Sequence, residues 1–355
     1  MAEQKFYTSE VNKQILISLL KAHNIHKVIA SPGATNITFI GSIQNDSWFE
    51  IYSSVDERSA AYMACGMAAE SGEPVVLTCT GATASRNYIP GLTEAFYRKL
   101  PVLAVTASQH FARAGQYSPQ MLDRSRPPVD CVKMNVNIPM LHTAEDRQLY
   151  TVKMNDAILE LRHNGGGPVL INIATDYSPD FSVHELPPAQ VIDRVEPEDE
   201  MPPIKAGTVG IFIGAHPPMT ERLTELIDSF CEKYNGAVLC DHTSNYRGKY
   251  EVHPNIVPLS PRQGMDLMIH IGEVSGAYMT LRPSEVWRVN PDGVVRDTFK
   301  KLRYVFQMSE EEFFSRYVNI PTTGGGSIAV IIRRGVMIMI MSAQEYRNSP
   351  SQMLG

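Results

Sequence analysis

The sequence is short of cysteine and has no long apolar run, and each absence narrows what the chain does. Its five cysteines, Cys65, Cys79, Cys131, Cys231 and Cys240, show neither a CxxC pair nor Cys/His metal spacing. They read as reduced thiols of a cytoplasmic protein rather than as a disulfide framework. No uninterrupted apolar stretch reaches the roughly eighteen residues that a membrane-spanning helix needs. The opening stretch, MAEQKFYTSEVNKQILISLLKAHNIHK, is an amphipathic helix pattern with acids and lysines through it and no signal-peptide apolar region. Positive charge is in deficit, since 32 Lys+Arg against 38 Asp+Glu leave −6 at pH 7. That balance argues against nucleic acid or an anionic membrane as a partner. His142, His242 and His253 stand isolated in sequence, so no metal ligands are expected.

What is present is an alternation of strand and helix signals. A chain of 355 residues exceeds what one hydrophobic core usually serves, so two domains are expected. A helix at about Ser9 to His23 precedes short apolar runs at Lys27 to Ala30 and Glu50 to Ser53. Further runs follow at Pro74 to Cys79, Leu100 to Ala107 and Pro168 to Ala174, with helices between, one of them near Glu145 to His163. Continuous Val/Ile/Leu strands joined by helices predict a doubly wound α/β domain, its parallel sheet covered on both faces. Small and polar residues fall just after these strands, on the edge where open α/β sheets bind ligands.

The stretch Val55 to Gly72 organises this domain. Asp56 is placed as the N-cap of a helix, Glu57 and Arg58 in its first turn, and Gly72 at its C-terminus. Ala61, Ala64, Cys65 and Ala68 recur at three- and four-residue spacing, a stripe that permits close approach of another element. An acid in a first turn is ordinary by the helix dipole alone, so Glu57 draws functional weight only from its neighbours.

From Phe181 to Ile204 the composition turns rich in proline and acid and reads as an extended linker, residues 181–204. A second, smaller doubly wound, Rossmann-like domain is expected over 205–319, with strands at Thr208 to Ile213, Ala237 to Cys240, Leu267 to Ile271, Glu285 to Val289 and Arg303 to Phe306. Its helices are placed at Met219 to Tyr234 and Ser309 to Tyr317. Gly214-Ala215-His216-Pro217-Pro218 lacks dinucleotide spacing and reads as a strand-helix loop, and Gly165-Gly166-Gly167 as a helix-ending loop. Residues 320–355, with Gly324 to Gly326 and the alternating Met337, Met339 and Met341, follow no clear period and read as an irregular tail.

Taken together, Ser31-Pro32-Gly33, Asp56 to Ala61, Thr80-Gly81-Ala82-Thr83 with Asn87, Gly91-Leu92, the strand LPVLAVTA and Gln120 resemble the pyrimidine-binding domain of thiamine diphosphate enzymes. The resemblance points to the acetolactate synthase group and the menaquinone-pathway succinyl-enolpyruvyl carboxylate synthase, closely over residues 5–180 and more loosely, to the central domain, over 205–318. It implies domains at 1–180 and 205–319 and a site in which Glu57 hydrogen-bonds the cofactor's aminopyrimidine and so promotes removal of the thiazolium proton. By the same resemblance Gly33 allows close backbone approach, Gly81 and Thr83 line the pyrimidine, and Asn87 and Gln120 add polar contacts. The activity implied is decarboxylation of a 2-oxo acid followed by transfer to an acceptor, as a lyase or transferase.

One departure is large. The family holds the diphosphate through Mg²⁺ on a further domain marked by Gly-Asp-Gly and a spaced asparagine, which these 355 residues lack. Pro291-Asp292-Gly293 reads as a turn instead. The expectation is therefore a chain that is catalytically incomplete alone, works in a homodimer or with a diphosphate-binding subunit, and has Mg²⁺ only on that other domain. A truncated or frame-shifted product, with the join near Asn319, and a non-catalytic binding or regulatory protein that kept the fold are the alternatives.

Overall fold

A computed structural model describes residues 5–254, 265–276 and 281–321. The expected tail lies outside these residues from 322 onward. The chain divides into two compact units, Met1–Val191 and Ile192–Gly355.

In the first unit α1 (Val11–Ala22) leads into β1 (Lys27–Ala30), α2 (Ile37–Ile43) and β2 (Glu50–Ser53). Then come α3 (Glu57–Ser71), β3 (Val75–Cys79), α4 (Ala82–Asn87), α5 (Ile89–Tyr97) and β4 (Val102–Ser108). β5 (Met134–Ile138), α6 (Ala144–Glu160) and β6 (Val169–Ala174) complete it. Among the described residues the strands form one sheet in the order β2-β1-β3-β4-β6-β5, every pair parallel. Alternation of side chains along each strand gives the sheet two dry faces. One packs Val28, Val76, Leu103, Val105 and Ile171 against Leu16, Leu20, Met154 and Ile158 of α1 and α6. The other packs Ile29, Leu77, Ala104 and Leu170 against Ala61, Ala64, Leu92 and Ala95 of α3 and α5.

α1 is fastened at its start by a buried network. Glu10 pairs with Lys13 at 2.5 Å, accepts the hydroxyl protons of Thr38 and Thr175, and accepts the backbone N–H groups of Asp176 and Ser178. Burial pulls the Lys13 ammonium down to about 8 despite the carboxylate beside it.

The second unit holds β7 (Asp193–Val195), β8 (Val209–Ile213), α7 (Glu221–Tyr234), β9 (Ala237–Cys240), β10 (Glu251–Val252), β11 (Met265–Ile271), β12 (Pro283–Val289), β13 (Leu302–Phe306) and α8 (Glu310–Asn319). Its described strands order β10-β9-β8-β11-β12-β13-β7, again all parallel. Ile211, Ile269, Trp287 and Phe306 pack against Ile227, Phe230, Phe313 and Tyr317 of α7 and α8.

The segment 181–204 differs from an extended linker. Val183 bridges antiparallel to Tyr7, the unit boundary falls after Val191, and Asp193–Val195 adds to the sheet edge beside β13. The prolines around Asp193 to Glu196 exclude helix, but an extended, proline-free DRVE offers the backbone groups an edge strand needs. The loop at Gly214 is likewise structural. Gly214 N–H donates to Ile271 O at 3.0 Å, Glu273 N–H to Ala215 O at 2.7 Å, and His216 Nε2 lies 2.8 Å from Glu310 Oε2.

Candidate functional site

In the first sheet the chain runs from β1 outward to β2, then back across to β3, so the order reverses between β1 and β3. Loops after parallel strands emerge on one edge, and a reversal parts neighbouring loops into a crevice. Here the loops after β1, β2, β3 and β4 carry Ser31 to Gly33, Asp56-Glu57, Thr80-Gly81 and the segment that includes Arg124.

These loops are tied to each other by short polar side chains. Asn36 Oδ1 accepts from Gly33 N–H at 2.8 Å, and its Nδ2 donates to Ser31 O at 3.2 Å. Gly81 N–H donates to the Thr35 hydroxyl at 3.3 Å, and that hydroxyl donates to Ala107 O at 3.4 Å. Gly33 and Gly81 are required by space. A Cβ on Gly33 would lie 2.2 Å from Thr80 Cγ2, and one on Gly81 3.0 Å from Ala107 O and 3.6 Å from an Arg124 nitrogen.

Glu57 is set by its helix. Asp56 Oδ1 accepts from Ser59 N–H at 2.7 Å, capping α3, and Gly72 closes it with φ of 69°. The buried stripe Ala61, Ala64, Cys65 and Ala68 seats α3 against α5, where the Cys65 thiol donates to Gly91 O at 3.2 Å. Glu57 is half-buried, and Asn87 Nδ2 donates to its Oε2 over a long 3.5 Å. Beside it lies a buried pocket of polar atoms. The Tyr88 hydroxyl, fully buried near Cys79, Ser31 and Glu57, and the Ser31 hydroxyl make no hydrogen bond of good geometry. Burial pushes the Cys79 thiol up to about 12 and raises the Tyr88 phenol well above its ordinary value. Both therefore stay neutral near pH 7.

A row of polar side chains crosses the same face. Cys79, Thr106, Asn172 and Asn137 lie in register on β3, β4, β6 and β5. Thr106 donates to Asn172 Oδ1 at 2.7 Å, and Asn172 Nδ2 donates to Asn137 and Asn135 at 2.9 Å. Arg124 Nη1 completes the row by donating to Thr106 Oγ1 at 2.7 Å, while Asn135 Nδ2 donates to the carbonyls of Arg124 and Ser125. Burial pulls the Arg124 guanidinium down to about 10, so it remains a cation at neutral pH.

Of the six residues singled out in sequence, Glu57 and Asn87 are brought into contact, and Gly33 and Gly81 flank the crevice. Thr83 is exposed on the first turn of α4. Gln120 is exposed on the loop between β4 and β5, with φ of 60°. Neither side chain makes a hydrogen bond among the described residues. Thr35, Asn36, Tyr88 and Arg124 were not singled out. Their partners are set by the fold, and nothing in the sequence set Arg124, with Asp123 beside it, apart from an ordinary loop cation.

Residues 12–126 match the family described as "Thiamine pyrophosphate enzyme, N-terminal TPP binding domain". Over residues 12–126 the chain thus carries the N-terminal domain of the thiamine diphosphate enzymes. The 2-succinyl-5-enolpyruvyl-6-hydroxy-3-cyclohexene-1-carboxylate synthase of Phocaeicola vulgatus is 29% identical over 343 residues, 87% of this chain and 60% of that protein. The synthase of the same name from Bacteroides thetaiotaomicron is 36% identical over 191 residues, 54% of this chain and 34% of that protein. The chain thus spans three-fifths of the length of the first relative. A solved thiamine diphosphate-dependent 4-hydroxybenzoylformate decarboxylase of Rhodococcus jostii superposes with a TM-score of 0.39 at 16% identity, over 90% of this chain and 63% of that one, too low to carry an argument. Among the described residues no helix is long and apolar enough to cross a membrane.

The crevice suits a thiamine diphosphate pyrimidine. Gly33 and Gly81 let the neighbouring loops close on one another, and the buried Ser31 and Tyr88 hydroxyls make no hydrogen bond of good geometry. Glu57 adds a carboxylate at a helix start. Such unpaired polar atoms are costly unless a ligand or water meets them.

Proposed function

We propose that the first unit holds the aminopyrimidine of thiamine diphosphate with Glu57 as the group that exchanges a proton with its ring nitrogen. The reading extends to an enzyme of the kind named for its relatives, a synthase that decarboxylates a 2-oxo acid and adds the remainder to an enol-bearing acceptor. It rests on one observation above all: Glu57 begins α3 at the carboxyl edge, steadied by Asn87 beside buried, unpaired hydroxyls. When bound, the cofactor supplies a carbon nucleophile and an electron sink for decarboxylation.

The chain's own groups do the rest. Glu57 shares or gives up a proton at its Oε2, and Asn87 orients that carboxylate. Neutral Tyr88 and Cys79 bring no charge of their own to that carboxylate. Arg124, held by Thr106, is the group we assign to the anionic part of the substrate, because a dicarboxylic 2-oxo acid would be needed to deliver a succinyl group. The diphosphate and its Mg²⁺ are taken to be held by residues other than the 355 here, in a complex with a diphosphate-binding subunit.

Titration calorimetry of the full chain with thiamine diphosphate and with thiamine tests the pyrimidine assignment. Loss of one charge-assisted hydrogen bond, about 1.5–3 kcal/mol, predicts binding to Glu57→Gln weakened by roughly 10- to 100-fold for both compounds. Equal affinities for Glu57→Gln and the unaltered chain would remove Glu57 from the site. Once a diphosphate-binding partner is added, decarboxylation should be lost in Glu57→Gln as well.

A further inference from the structure

The second unit brings together three donor groups that the thiamine diphosphate reading does not use. β10 runs parallel to β9 with Glu251 opposite Val238 and Val252 opposite Leu239, which places His253 two residues beyond Glu251 and level with Cys240. Side chains two apart on a strand share a face, so Cys240, Glu251 and His253 converge on one side of this sheet edge. The Cys240 Sγ, a Glu251 carboxylate oxygen and a His253 ring nitrogen all lie within 4.8 Å of one another. Glu251 Oε1 is 2.8 Å from His253 Nε2 and 3.9 Å from Cys240 Sγ.

The imidazole is held for ligation. His253 Nδ1 sits 3.2 Å from the Cys240 carbonyl, an acceptor only, so Nδ1 carries the hydrogen and Nε2 presents its lone pair. A ligating histidine characteristically donates its second nitrogen to a backbone carbonyl in this way. That leaves the Nε2 lone pair facing a carboxylate oxygen at hydrogen-bond distance, an arrangement which demands a positive centre between them: a proton or a metal cation. The neighbouring thiol adds a third, soft donor, which suits the cation. Cys240 is 1% exposed, while Glu251 and His253 are partly open to solvent, so a cation can enter from outside and meet the sulfur at the inner wall.

We propose that Cys240, Glu251 and His253 form a binding site for a borderline-soft divalent cation of the zinc type, with solvent as the fourth ligand. Thiolate, imidazole and carboxylate together select such a cation over Mg²⁺ or Ca²⁺, which take oxygen donors. Tetrahedral zinc, with bonds of about 2.0–2.3 Å, places donors roughly 3.3–3.8 Å apart, so closure needs side-chain movements of about 1 Å. On binding, the Cys240 S–H bond breaks, its proton leaves to solvent, and the freed sulfur pair bonds the cation; Nε2 and Oε1 supply their lone pairs. Burial and the Glu251 carboxylate push the free thiol up to about 12, which makes Cys240 inert as a nucleophile without a cation. The exposed Arg247, 4.0 Å from Glu251 Oε1, swings away when the cation arrives.

Co²⁺ and Zn²⁺ added to the full chain test this. We expect one equivalent to bind, with Co²⁺ giving a near-ultraviolet thiolate-to-metal charge-transfer band that Zn²⁺ abolishes by displacement. Cys240→Ser should lose the band, and His253→Gln and Glu251→Gln, on the partly exposed edge strand where folding is not at risk, should each weaken Zn²⁺ at least about tenfold. A band that persists in Cys240→Ser, marking one of the other four cysteines, overturns the proposal. So does unchanged Zn²⁺ affinity in His253→Gln, which would leave only a Glu251–His253 ion pair.

Discussion

At the scale of residues, the first unit's site combines one half-buried carboxylate with hydroxyls that have been left without partners. Tyr88 is the sharpest case, being fully buried with an unbonded hydroxyl. Removing an unpaired polar atom relieves a desolvation cost rather than a bond. Tyr88→Phe should therefore leave thermal stability unchanged or raise it by up to about 1 kcal/mol, measured by calorimetric unfolding; a loss larger than that would show the hydroxyl to be bonded in solution. The place of Glu57 in the first turn of α3 was legible in the sequence from the Asp56 cap, the small-residue stripe and Gly72 at the far end. Arg124 was not, because the hydroxyl that binds it, Thr106, sits on a strand 18 residues away and the guanidinium's surroundings exist only once β4 and β5 flank β6.

At the scale of elements, the contact between α3 and α5 rests on the absence of a side chain. A Cβ on Gly91 would stand 2.4 Å from Ala61 Cβ and 2.9 Å from its backbone carbonyl carbon, whereas one on Gly66, on the exposed side of α3, meets nothing within 4 Å. Alanine is the better helix former at both positions, by about 1 kcal/mol. Gly66→Ala should accordingly stabilise the unit by roughly 0.5–1 kcal/mol, and Gly91→Ala should destabilise it by about 1–3 kcal/mol through overpacking. Urea unfolding of the two variants checks the opposed signs; the same sign in both would mean that α5 moves away without cost. The central strands of each sheet could be read directly, since strands buried on both faces are unbroken runs of Val, Ile and Leu. β5, β7 and β10 could not. Each is an edge strand, short or only partly buried, and MNVNI, DRV and EV carry polar residues that a buried strand would not tolerate.

At the scale of the whole molecule, each unit carries one tryptophan, Trp48 in the first and Trp287 in the second, so the two can be followed separately. Trp48 reports on a buried carboxylate. Asp46 accepts the Tyr7 hydroxyl at 2.6 Å and the backbone N–H of Trp48 at 3.2 Å, pairs with Lys5 at 2.7 Å and also binds Lys21. Burial pushes this carboxyl up, but the hydrogen bonds from Lys21, Lys5 and Tyr7 outweigh it and hold it well below the ordinary carboxylate range. The folded value lies below the unfolded one, so its stabilisation is complete above the unfolded value of 3.8 and fades as pH falls beneath that. Fluorescence from Trp48 in a Trp287→Phe background should record acid unfolding of the first unit below about pH 4, and Asp46→Asn should cost about 2 kcal/mol or more at pH 7. An acid transition unaltered in Asp46→Asn would assign it to other carboxylates.

The polar row from Cys79 through Thr106 and Asn172 to Asn137 has a meaning beyond the ligand edge. The strands that bear it join in an order that differs from their order along the chain, so during folding each must find its register against a neighbour made elsewhere. If β4 slides by one residue, Val105 or Ala107 faces Asn172 in place of Thr106, and the Asn172 Oδ1 loses its donor in a dry layer. The row thus works as a ruler. It makes each misaligned sheet pay at once for its error, and leaves the one alignment that also assembles the crevice.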